Sequence, residues 1–460
     1  MSRQEKNMDN NILGFEKPSV LLKKFAIPSI IAMLVSSLYN IVDQIFIGHG
    51  VGYLGNAATN VAFPLNTICM AISLLTGVGS ASGFSLELGA GRKEKAAEFV
   101  KNALGMASVL GVLYFLLICV FLKPMLKVFG ATADIMDYAI SYTKITALGM
   151  PFLIATNVMS NLIRADGSPK YSMVCMIIGA VINTILDPLF IFVFKMGIAG
   201  AAWATVIGQI VSFFIAVYYI KYFKSVEISG VPVEFKIKKW LKIAAFGMSN
   251  SLNQVAITLV QIILNNSLIY YGALSVYGSE IPLAGCGIVM KINSILISVF
   301  VGLAQGSQPI IGFNYGAKKY YRVKETYKLA VITSICIAFV GFLMFQIIPE
   351  RIVTLFGKGD KLYIDFSAKF MKTFLFMITF TGVQIISSNF FSAIGKPVKG
   401  VFLSLTRQVI FLIPLLIILP LFFGIDGVMC SGPISDGIAA LVCFLLVMSE
   451  FKKMDKVMII

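Results

Sequence analysis

The sequence predicts an all-α membrane protein: twelve transmembrane helices in two parallel six-helix halves. Three observations carry this expectation. The chain of 460 residues is 58% hydrophobic and 13% charged, with mean hydropathy +0.88; soluble domains carry about 25% charged residues. Twelve stretches reach the roughly 20 apolar residues that a bilayer crossing needs. Landmarks of the first half return in the second about 227 positions later. A period of that length is no solenoid, and in an apolar chain it reads as a transporter built from two homologous halves.

The stretches are 20–47, 55–84, 99–122, 134–163, 170–194 and 199–221, then 240–271, 282–311, 326–348, 362–393, 398–422 and 427–450. The first follows a polar start and holds Pro28 and Asp43. The second runs into Gly89-Ala90 and the basic Arg92, Lys93 and Lys95. Phe129-Gly130 separates the third from the fourth. Asn161, Ala165, Gly167 and Pro169 mark the passage from the fourth to the fifth, which carries Asn183 and Asp187. Gly197-Ile198 and Gly200 introduce the sixth. The second half repeats this punctuation as Gly316-Ala317, Phe356-Gly357, Asn389, Ala393, Gly395, Pro397, Gly424-Ile425 and Gly427. The organisation expected is an N-terminal lobe over 1–222, a linker over 223–239 and a C-terminal lobe over 240–460. The linker is a tether, too short for a domain.

Six spans per half return the chain to its starting side, so the repeat is parallel and not inverted. The net charge of +16 is distributed unevenly. Of 38 Lys and Arg, 28 fall at the termini, in every second loop or in the span ends beside them, nine on the opposite side, and Lys291 deep inside a span. This is the positive-inside pattern and puts both termini in the cytoplasm, the chain being a multi-pass protein of a bacterial plasma membrane. The basic residues then sit beside anionic lipid and are no nucleic-acid footprint. A monomer is expected. The seven cysteines are scattered and form no CxxC, so neither a disulfide framework nor a metal site is expected. No cleavable signal is visible. The Gly-rich stretches lack a Walker lysine in a strand–loop–helix setting, which argues against direct ATP use.

Ionisable groups inside the hydrocarbon are costly and are candidates for function. They are Asp43, Asp187, Lys291 and Asp436, with Glu87 and Arg407 near span ends and able to reach the interface. Counted along their helices, Asp43, Asp187 and Thr205 fall in the outer half of the membrane. Asn183 and Asp187 are spaced i, i+4 and share a face. Two carboxyls, an amide and a hydroxyl at similar depth form a hard-oxygen cluster, able to hold a proton or a hard cation. The alternative is a satisfied structural network. Pro28 interrupts the helix that carries Asp43 and reads as a hinge. Lys291 and Asp436 lie at matching depth with opposite charge and are expected to pair. The seventh span, which mirrors the first, has Gln261, Asn265 and Asn266 but no carboxylate, so the titratable cluster belongs to the N-terminal half alone. His49 is solitary and reads as structural.

These residues resemble the MATE family, the multidrug and toxic compound extrusion transporters, and within it the MepA-like bacterial branch. The resemblance spans essentially the whole chain. It is carried by Ile-Val-Asp43-Gln-Ile-Phe-Ile-Gly, by Asn183 and Asp187, and by Gln308-Pro309-Ile-Ile-Gly-Phe-Asn-Tyr-Gly-Ala. It implies a V-shaped pair of six-helix bundles around a central cavity. It also implies antiport, with lipophilic organic cations leaving as protons or sodium enter and no further cofactor. The family's N-terminal coupling site carries over to Asp43, Asn183, Asp187 and Thr205, and its bending first helix to Pro28. The NorM-like branch has a Glu in the seventh span, which this chain lacks. Lys291 stands where Arg is commoner.

Other classes fit less well. A lipid-linked saccharide flippase of the wider superfamily would show a cavity richer in Arg and Lys. A channel would show a more continuous polar lining. An enzyme would show a nucleophile–base pair or metal-ligand spacing, and neither is visible.

Overall fold

The computed structural model describes residues 12–228, 236–356 and 360–459; Gly357, the first eleven residues and the middle of the expected linker lie outside them. Among the described residues every regular element is helical. The first nine spans are α1 (Pro18–Gly50), α2 (Tyr53–Gly89), α3 (Lys93–Val128), α4 (Ala133–Ala165), α5 (Pro169–Pro188), α6 (Gly197–Tyr218), α7 (Ile237–Ala273), α8 (Glu280–Gly316) and α9 (Tyr320–Ile347). The tenth, α10, consists of Lys361–Phe374 and Ile378–Ala393 with a 50° bend between them.

The run Pro397–Val457 is 61 residues long, roughly 90 Å at 1.5 Å per residue and about three times the hydrocarbon thickness. Gly424 breaks it with φ 56° and ψ −137°. Gly424 is the repeat mate of Gly197, whose φ of 59° opens α6. The same left-handed glycine turn therefore ends the eleventh span and starts the twelfth. We call residues 397–423 α11 and residues 424–459 α12, which gives the twelve spans the sequence predicts. The apolar windows run two to six residues short of most helix ends because polar end turns extend beyond the hydrocarbon.

The repeat is visible in the backbone. Gly167 (φ 91°) turns α4 into α5, and Gly395 (φ 74°) turns α10 into α11. Pro169 and Pro397 each stand in the first turn of the helix that follows, where the missing N–H has no partner to lose. Gly91 (φ 76°) has Lys318 (φ 57°) as its mate: the turn persists in a residue that adopts it at a steric cost. A π-helical segment, Leu189–Val193, directly follows α5, and another, Thr406–Leu412, lies within α11.

The two lobes meet near the ends that carry the chain termini. Leu22 and Ala26 of α1 share a core with Leu303, Ile311 and Phe390, and Ile243, Phe246, Ile310 and Phe313 join the core of the first lobe. Glycines allow the approach. A Cβ on Gly79 of α2 would lie 2.0 Å from the Ile243 carbonyl oxygen of α7, and one on Gly247 would lie 1.9 Å from that of Leu75. On α8, Gly306 and Gly302 stand so close to α1 that a Cβ would come within 2.6 Å of the Cα atoms of Ala26 and Ile30. Pro28 lies between those two contacts, inside an unbroken helix.

Polar contacts reinforce this end. Gln308 of α8 donates to the Val78 carbonyl at 3.0 Å and to Ser82 at 2.8 Å on α2. Arg164, 2% exposed, donates to Gln305 of the other lobe at 2.9 Å and to Asn161 at 3.4 Å, and its Nε has no partner. Glu87 meets Arg92 at 2.5 Å and Lys242 of α7 at 3.5 Å. Just past α4, the Asp166 carboxylate accepts from the backbone N–H groups of Lys224 and Ser225 and from the Tyr219 hydroxyl. Burial pushes this carboxyl up from its ordinary value against the pull of those donors, and the contact fastens the start of the linker to the first lobe.

Candidate functional site

The four oxygen-bearing residues singled out from the sequence come together. Asp43 of α1 and Asp187 of α5 are buried, and their carboxyls face each other within hydrogen-bonding reach. Asn183 lies one turn before Asp187. Its amide donates to Asp187 Oδ1 at 3.2 Å and to Thr205 Oγ1 of α6 at 3.2 Å. Three helices thus contribute to one cluster, and the i, i+4 spacing of Asn183 and Asp187 is what lets a single side chain touch both neighbours.

The cluster is short of donors. Asp43 Oδ1, Asn183 Oδ1 and Asp187 Oδ2 are buried without a hydrogen-bond partner. Buried polar atoms are ordinarily satisfied, and two carboxyls in contact repel when both are ionised. Protons on the carboxyls, or one hard cation among these oxygens, would satisfy the set. Two tyrosines complete the surroundings. Tyr39 of α1 and Tyr142 of α4 lie near enough to both carboxyls to interact through space. Sequence reasoning missed them. Tyr39 could have been found one turn before Asp43, whereas Tyr142 reaches the site only through packing of α4.

In the second lobe the expected Lys291–Asp436 pair does not form. Asp436 Oδ1 accepts from Arg407 Nε instead, and Asp436 Oδ2 accepts from Thr381 at 3.4 Å. Arg407 is buried and does not reach the interface. It lies in the π-helical segment of α11, whose wide turn changes which face its residues occupy, and depth counting along ideal helices could not see this. Lys291 is exposed on α8, and none of the ion pairs among the described residues includes it. Gln261 and Asn265 bond to each other at 2.8 Å. Among the described residues no three His, Cys, Asp or Glu side chains gather as a metal site.

The sequence profile of the MatE family matches this chain twice, over residues 28–189 and 255–418. The chain belongs to the MatE family. The two matches coincide with the two halves, so the duplication belongs to the family pattern. The chain is 28% identical over 448 residues to the multidrug export protein MepA of Staphylococcus aureus strain MRSA252, covering 95% of this chain and 96% of that protein. MepA of Staphylococcus saprophyticus is 25% identical over 446 residues with the same coverage. The fold of this chain is that of a MATE transporter: it superposes with a TM-score of 0.90 on a multidrug resistance MATE family transporter of the MOP superfamily in an outward-facing conformation, at 22% identity over 99% of each chain.

Proposed function

We propose that this MatE-family protein exports lipophilic organic cations in exchange for protons or sodium across a bacterial plasma membrane, with both termini in the cytoplasm. The observation that carries the reading is the buried Asp43–Asp187 cluster with its unsatisfied oxygens, present in one lobe and lacking a carboxylate counterpart on α7. The staphylococcal relatives, multidrug export proteins, agree with it.

The chemistry follows from charge. With the carboxyls ionised, the first lobe attracts a cation and the lobes are biased toward the state that holds one. A proton or sodium ion arriving from outside neutralises the carboxyls and removes that attraction, so the cation leaves. A ligand can bias two states only through its different affinity for them, and competition of ion and drug for one charge supplies that difference. Asn183 orients Asp187 and Thr205, and Pro28 gives α1 a flexible point where it crosses α8. The lobes are closed at the end assigned to the cytoplasm, which corresponds to an outward-facing state.

The test is transport of ethidium in proteoliposomes with proton and sodium gradients set independently. One of the two gradients is expected to drive it, and Asp43→Asn to abolish that dependence. Wild-type rates in the Asp43→Asn protein, or uptake indifferent to both gradients, would overturn the reading.

A further inference from the structure

Lys291 is an ammonium in the middle of an apolar helix, and no carboxylate among the described residues pairs with it. It lies eleven residues from the start of α8 at Glu280, roughly 16 Å along the helix. The face it occupies is fixed by a contact. Ser298 Oγ lies 2.5 Å from Ser37 Oγ of α1, so this side of α8 looks toward the first lobe. Lys291 precedes Ser298 by seven residues, and seven steps of about 100° return to within ~20° of the same direction. Ser294 stands between them on that face, and both Lys291 and Ser294 are exposed. The side chain therefore projects from α8 on the exposed face that looks toward the first lobe.

Its height matches the acidic cluster. The Ser37–Ser298 contact gives a common level. From it α1 rises six residues to Asp43 and α8 rises seven to Lys291, roughly 9 Å and 10 Å in the same direction. The facing sides of the two lobes thus carry carboxyls in one and, on the other, an ammonium without an ion pair among the described residues, at one level. From this we infer that Lys291 is a second recognition point, taking an acidic oxygen group of a substrate whose cationic end is drawn to the Asp43–Asp187 wall. The preferred class is then zwitterionic: an amphiphile with a delocalised cation and a carboxylate. This rests on the export reading for the class of compound, but its test does not require export.

Rhodamine 110 and its methyl ester, rhodamine 123, form a matched pair of probes: the same xanthylium cation with and without a free carboxylate. Binding of each is measured by fluorescence anisotropy on the purified full-length protein in nanodiscs, with no ion gradient. Lys291→Gln is expected to weaken binding of the free acid about tenfold or more, the scale of a lost charge-assisted hydrogen bond, and to leave the ester within about twofold. Lys291→Arg should restore the free acid. Equal losses for both dyes, or no loss for either, would overturn the inference. A lipid phosphate presents the same oxygen chemistry, so the nanodiscs are made of phosphatidylcholine alone or mixed with phosphatidylglycerol. Selective weakening of free-acid binding by phosphatidylglycerol, in the wild-type protein and not in Lys291→Gln, would keep Lys291 as the anion site and identify lipid headgroup as its occupant. If anisotropy gives the expected pattern while proteoliposomes show no ion-driven movement of either dye, the export reading fails and the site stands.

Discussion

Gly89 and Gly316 hold the two lobes together by a reciprocal contact. A Cβ on Gly89 would fall 1.9 Å from the carbonyl oxygen of Phe313, and one on Gly316 would fall 2.2 Å from that of Leu86. The two glycines are repeat mates, and so are Leu86 and Phe313, each pair separated by 227 positions. The crossing of α2 and α8 thus lies on the pseudo-two-fold axis that relates the halves.

Adding a methyl group at this crossing forces backbone apart from backbone. Gly89→Ala or Gly316→Ala should destabilise the closed arrangement by about 1–3 kcal/mol, the usual cost of overpacking. Spin labels on the terminus-bearing ends of α2 and α8 should report a longer, broader distance distribution. Unchanged distances together with an unchanged melting temperature would contradict the contact.

The guanidinium of Arg164 is buried between the lobes, with amides for partners. Gln305→Leu removes the better one and leaves a buried charge with a single contact of 3.4 Å. A cost of about 1.5–3 kcal/mol is expected from the lost charge-assisted hydrogen bond, read as a lower melting temperature or as the same opening of α2 from α8. Arg164→Met with Gln305→Leu should recover much of the loss, since replacing both partners with apolar groups can be nearly neutral.

The second lobe offers a discriminating series. Asp436→Asn strands Arg407 in the interior and should cost about 3–5 kcal/mol, measured by thermal melting in detergent. Replacing the pair with Arg407→Met and Asp436→Leu should return stability toward the wild type. Lys291→Gln should leave the melting temperature unchanged. A fall as large as that of Asp436→Asn would show that Lys291 supports the buried carboxylate after all.

In the first lobe, Asn183→Leu removes the donor that serves both Asp187 and Thr205. Ion-driven ethidium transport should fall by about tenfold, one charge-assisted hydrogen bond's worth, while Thr205→Val, which deletes a single acceptor, should cost less. A transport rate in Asn183→Leu equal to that of the wild type would remove Asn183 from the coupling site.

Most of the architecture was legible because bilayer crossings must be long and apolar, and because the chain states its plan twice. The twelfth span needed the repeat as well as the hydropathy: Gly424 is recognisable as a boundary through Gly197. The Asp43–Asn183–Asp187–Thr205 cluster was legible for a simple reason, namely that depth along regular helices carries over to depth in the bundle. The same reasoning failed at Asp436. Depth says nothing about azimuth, and Arg407, counted near a span end, meets Asp436 from the π-helical segment of α11. The inter-lobe contacts of Gly79, Gly247, Gly302 and Gly306 were equally hidden, since a glycine that meets a neighbour's backbone looks in sequence like any other small residue.

The placement of Gly79 has a mechanical consequence. It touches α7 ten residues from the end of α2 and 26 residues from its start at Tyr53, arms of roughly 15 Å and 39 Å. Taken as a rigid rod pivoting there, α2 is an unequal lever. A shift of about 1 Å at its short end becomes about 2.6 Å at Tyr53. Small yielding at the sealed end is thereby magnified into a wide change at the mouth.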